Sequence, residues 1–74
     1  MPDQTEWETK AANLLKAELK RKSVTYAQLV EKLDAIGITE REVNVRNKLS
    51  RGKFSAAFML QCLHAIGSSQ VHLD

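Results

Sequence analysis

The pattern Thr-x-x-Glu/Gln occurs three times in this 74-residue chain: "TEWE" at 5–8, "TYAQ" at 25–28 and "TERE" at 39–42. In such a pattern the threonine oxygen accepts from the backbone N–H three residues on. The Glu or Gln side chain reaches back to the threonine's own N–H, so two donors left open at a helix start are satisfied together. Starts this close together allow only short helices between them. The first start predicts helix 1 over 6–21, with Trp7, Ala11, Leu14, Leu15 and Leu19 as its apolar stripe and Lys20 and Arg21 at its negative end. Thr25 starts helix 2, with Tyr26, Leu29, Val30, Leu33 and Ile36 facing inward. Val24 is set to staple onto Leu29, and Gly37 supplies a left-handed cap. Thr39 starts helix 3, with Ile38 set to staple onto Val43, and Val43, Val45 and Leu49 form a narrow inner side.

The stretch "SRGKFS" breaks the chain at Gly52, and Ser55 then caps a fourth helix, with Phe54 and Met59 as another staple. The run "AAFMLQCLHAIG" is apolar nearly all round, with Gln61 and His64 its only polar side chains. A helix of that kind is normally central to a core, which would place Leu60 inside. The expected architecture is all-α: a four-helix domain over 5–67, followed by a short tail over 68–74 in which Val71 and Leu73 alternate with polar residues.

Several function classes have no residues to carry them. Cys62 is the single cysteine, so no disulfide staples the fold, and it reads as a small buried hydrophobe in a reducing cytosol. His64 and His72 have no partners at metal-ligand spacing, so no metal or other cofactor is expected. No Ser/His/Asp set, paired-carboxylate cleft or phosphate loop is present. Four packing helices also leave little room for a substrate pocket of ~300 Å³, so neither an enzyme nor a small-molecule substrate is expected. The opening "MPDQTEWETK" is acidic and unlike a signal peptide, and no apolar run approaches the ~20 residues that span a bilayer. The expectation is a cytoplasmic protein without membrane contact.

The charge distribution is more specific than the net charge of +2. Cations gather in "KAELKRK" (Lys16, Lys20, Arg21, Lys22) and again in "NVRNKLSRGKF" (Arg46, Lys48, Arg51, Lys53), which holds no acid. On helix 3, Arg41, Asn44 and Lys48 fall at i, i+3 and i+7 and share one face. Such a face is either an ordinary solvated surface or a nucleic-acid contact. Glu40 and Glu42 in the same turn oppose the second reading, since carboxylates repel phosphate. An i, i+4 pair between Glu42 and Arg46 would neutralise one of them.

The order "TYAQLVEKL", "GITEREV", "LSRGKFSAAFMLQCLHAIG" resembles the phage-repressor and Cro-like family. That resemblance implies a helix-turn-helix domain with helix 3 as the recognition helix. More narrowly, "VTYAQL", "NKLSRGKFSAAFMLQCL" and "AIG" resemble a family of small bacterial domains without an established function. The chain departs from the repressor pattern at Asp34, Ala35 and Ile36, almost one extra helical turn before Gly37.

The resemblance implies double-stranded DNA as partner and transcriptional regulation as role. Arg41, Asn44 and Lys48 would contact bases, because Arg and Lys suit guanine and Asn suits adenine. Thr25, Gln28, Arg46, Asn47, Arg51 and Lys53 would contact phosphates. A homodimer through the tail (Val71, Leu73) or an exposed part of helix 4 would double the site. The alternative is a protein-interaction or adaptor module on the same helical fold, favoured by the modest net charge, the acids at the start of helix 3 and the extra turn.

Overall fold

The computed structural model describes residues 5–71 and contains four helices: α1 (Glu6–Arg21), α2 (Tyr26–Ala35), α3 (Glu42–Arg51) and α4 (Ala56–Ala65). There is no strand among the described residues. Each helix contributes one buried i, i+4 pair: Leu15 and Leu19, Leu29 and Leu33, Val45 and Leu49, Phe58 and Cys62. These pairs meet in a single core, joined by Leu63 and Ile66 and flanked by Val24, Tyr26, Val30, Ile38, Phe54 and Met59. The i, i+4 spacing stacks the two side chains on one helix face, so each short helix presents one apolar stripe. α1 and α2 each pack against both α3 and α4, and α2 and α3 pack on each other.

Three of the four N-termini carry side-chain caps. Thr5 Oγ1 accepts from the Glu8 N–H at 3.1 Å while the Thr5 N–H donates to Glu8 Oε1 at 2.7 Å. Thr25 and Gln28 do the same at 3.1 and 2.9 Å. Ser55 Oγ accepts from the Phe58 N–H at 3.0 Å. The third expected box does not form. α3 begins at Glu42 with Arg41 as its N-cap and no side-chain cap bond, so Thr39 lies outside the helix. Glu42 is then the first helical residue, too early to reach back as a box partner, and it pairs forward with Arg46 instead.

The C-termini are equally regular. In α2 the Ile38 and Gly37 N–H groups donate to the Leu33 and Asp34 carbonyls at 2.9 and 3.0 Å. α4 closes in the same way through Ser68 and Gly67, onto Leu63 and His64. α1 uses the same closure with Ser23 in the left-handed position, at φ 58. α2 runs on to Ala35 and is capped at Ile36, so the extra residues before Gly37 lengthen the helix.

The turn after α3 is tightly packed. Gly52 is left-handed (φ 70), its N–H donates to the Lys48 carbonyl at 2.8 Å, and it is buried. A Cβ at this position would overlap the backbone carbonyl of Glu8 in α1. The glycine therefore serves both the turn and the close approach of the first helix.

Four apolar residues lie elsewhere than expected. Trp7 is 75% exposed, with the Lys10 ammonium 5.8 Å from its ring centroid, so the α1 stripe starts later, at Ala12. Ile36 is exposed because it is the C-cap rather than part of the helix. Val43 is 50% exposed, because a start at Glu42 leaves only Val45 and Leu49 on the inner side of α3. Leu60 is 66% exposed, since α4 buries the face carrying Phe58, Cys62 and Leu63. Leu73 and His72 of the tail lie outside the described residues.

Candidate nucleic-acid interface

The residues singled out on α3 separate into two groups. Arg41 and Asn44 are exposed at the start of the helix, and Asn47 is exposed one turn on. Arg51 ends the helix and Lys53 follows Gly52, both exposed. None of Arg41, Arg51 and Lys53 is ion-paired with an acid among the described residues.

Arg46 and Lys48 have internal partners. Arg46 Nη2 donates to Glu42 Oε2 at 2.8 Å, and the guanidinium carbon lies 5.6 Å from the Tyr26 ring centroid. Lys48 Nζ donates to Glu40 Oε2 at 3.0 Å and stands 4.3 Å from the Phe58 ring centroid. The Glu40 side chain is only 15% exposed and that of Lys48 36%. Neither acid at the start of α3 is a bare carboxylate facing outward.

Tyr26 joins this helix to the rest of the basic surface. It lines a shallow depression with Lys16, Leu19, Lys20, Val24 and Thr25. Lys16 and Lys20 of α1 and Arg46 of α3 thus all lie near Tyr26, at the N-terminus of α2. The helix start itself adds partial positive charge. The capping box uses one oxygen of Thr25 and one of Gln28, and leaves the Thr25 hydroxyl proton and the Gln28 amide N–H groups able to donate. Arg21 is tied to Glu18 through two bonds, Nε to Oε2 at 3.1 Å and Nη2 to Oε1 at 2.7 Å, and this pairing holds its pKa above the ordinary arginine value.

Sequence reasoning missed the Glu40–Lys48 pair. Its partners are eight residues apart, outside any helical spacing, and no local signal marks them. It also missed the role of Glu18, the one buried charged residue among those described. The Ser68 hydroxyl donates to Glu18 Oε1 at 2.6 Å, so the segment after α4 is fastened to α1.

Cys62 is fully buried, and its thiol pKa is pushed up to about 12 by burial first, then by Glu40, with Lys48 acting in the opposite direction. Such a thiol is protonated at neutral pH and a poor nucleophile. No group of His, Cys, Asp and Glu among the described residues is arranged to hold a metal ion. No described helix is long and apolar enough to cross a membrane.

Residues 7–71 match the family described as a domain of unknown function (DUF6471), and the chain belongs to that family. Searches of curated proteins and of solved structures find no match. The family match agrees with the narrower of the two resemblances read from the sequence, to small domains without an assigned activity. It carries no information on the repressor likeness.

Proposed function

We propose that this domain binds double-stranded DNA in the manner of a helix-turn-helix module and serves transcriptional regulation. The observation that carries the reading is the placement of Tyr26, which lines a depression with Lys16 and Lys20 and lies beneath the Arg46 guanidinium. The two basic clusters, far apart in sequence, are thereby joined through the start of α2, as a surface that follows a phosphate backbone requires.

On this reading α3 enters the major groove with Arg41 and Asn44 toward base edges. Thr25, Gln28, Arg46, Asn47, Arg51 and Lys53 hold phosphates on either side. A module this small reads few base pairs, so a homodimer with half-sites one helical turn apart, ~34 Å, completes the site.

The test is fluorescence anisotropy of labelled random duplex DNA titrated across a salt series. The expected result is binding that weakens steeply with salt, log–log slope about −0.9 per phosphate neutralised. Absence of binding at low salt would overturn the reading.

A second reading, a protein-interaction module, is favoured by one observation. Exposed Leu60 and Val71 line a groove together with Leu63, His64, Ser68 and Gln70. An apolar groove of this kind suits a protein partner better than a nucleic acid.

A further inference from the structure

Glu40 and Lys48 make the one ion pair among the described residues that reaches beyond a single helical turn. It ties three elements together. Glu40 belongs to the segment entering α3, Lys48 to the second turn of that helix, and the Phe58 ring beneath the ammonium to α4. The pair also stands where a cap is missing. Thr5, Thr25 and Ser55 hold the starts of α1, α2 and α4 with their own side chains, whereas Arg41 makes no such bond. The neighbouring Glu40 turns inward and anchors the entry of α3 from inside. The Glu40 side chain is only 15% exposed and Lys48 stands over the core ring of Phe58, so the pair lies against buried structure. The Lys48 side chain is only 36% exposed, and transferring its ammonium to a phosphate would break its contacts with both Glu40 and Phe58. The Arg46 side chain, by contrast, is 58% exposed, and its guanidinium keeps donors that Glu42 does not use.

Resting on the DNA-binding reading above, we propose that Glu40 is a positioning residue of that interface. It draws Lys48 off the DNA-facing side of α3 onto Phe58, fixes the entry of the helix, and confines base readout to Arg41 and Asn44. Helical spacing alone would make Lys48 the third reader. The structure makes it an internal counter-ion. The face of α3 then presents one cation fewer than its sequence suggests, and the carboxylate of Glu40 is kept from repelling phosphate.

The experiment compares the wild-type chain with Lys48→Met, Glu40→Gln and the double variant, each shown by circular dichroism to be folded. Each is titrated with random duplex DNA over the same salt series. Lys48→Met keeps the alkyl stem over Phe58 and removes the charge. It is expected to leave the slope unchanged, because no phosphate contact is lost; the unpaired Glu40 carboxylate weakens binding without altering the number of phosphates held. Glu40→Gln releases the ammonium and is expected to steepen the slope by about 0.9, one further phosphate. The double variant is expected to return to the wild-type slope.

A slope flattened by about 0.9 in Lys48→Met alone would overturn the proposal while leaving DNA binding intact. So would a slope unchanged in Glu40→Gln, which decides the matter alone if Lys48→Met does not fold. No salt-dependent binding by the wild-type chain would overturn the DNA-binding reading and this proposal with it.

Discussion

Leu33 has no solvent contact, whereas Leu60 keeps two-thirds of its surface in water, and truncation separates the two. Leu33→Ala removes packing from the centre of the core and should cost roughly 2–5 kcal/mol. In a domain whose whole stability is of the order of 5 kcal/mol, that change brings it to the edge of unfolding. Leu60→Ala should change stability by less than about 0.5 kcal/mol. Urea unfolding of both variants measures the contrast, and equal losses would contradict the burial pattern. An apolar run such as "AAFMLQCLHAIG" says that a helix is mostly apolar without saying which side the other helices cover. Phe58, Cys62 and Leu63 lie on the covered side and Leu60 does not. The same ambiguity misled the reading of Trp7, which looks like the first member of the α1 stripe and lies beyond its end.

At the level of elements, the helix starts were readable wherever the capping chemistry is local. Thr5 and Thr25 sit in the boxes their spacing announces, and Ser55 caps α4. Thr39 carries the same signature, yet the helix starts beyond it, with Arg41 as N-cap and Glu40 paired to Lys48 across the entry. Thr25→Ala should therefore cost about 1 kcal/mol, the usual loss of a threonine cap. Thr39→Ala should cost less than about 0.5 kcal/mol, as for an ordinary surface position. Thermal unfolding of the two variants side by side checks this, and an equal loss at both positions would restore Thr39 as a cap. The candidate interface was legible to a similar degree. Residue type and helical spacing identify Arg41 and Asn44 as an exposed face, but cannot reveal that Lys48 leaves it for Phe58. Nor can they reveal that Tyr26 bridges the two basic clusters. Both depend on how the elements meet.

At the scale of the whole molecule, the contact between the α3–α4 turn and α1 leaves no room for a side chain at Gly52. Gly52→Ala would place an ordinary residue in the left-handed region, at a cost of roughly 1–2 kcal/mol. It would also push a methyl group into the Glu8 carbonyl. The combined loss should exceed about 2 kcal/mol, and guanidinium unfolding of the variant measures it. A variant as stable as wild type would mean that α1 does not seat against this turn. The expected loss is large because nothing nearby can yield: the obstacle is backbone, and backbone held in a helix.

The packing order has a consequence for how the domain is made. α1 and α2 leave the ribosome first, but each rests on α3 and α4. Glu18 likewise meets its Ser68 partner fifty residues later. α1 and α2 do not pack on each other, so the first half of the chain has no core to close before α3 has been made. The packing of both early helices is therefore completed only when α4, with Phe58, Cys62 and Leu63, is in place.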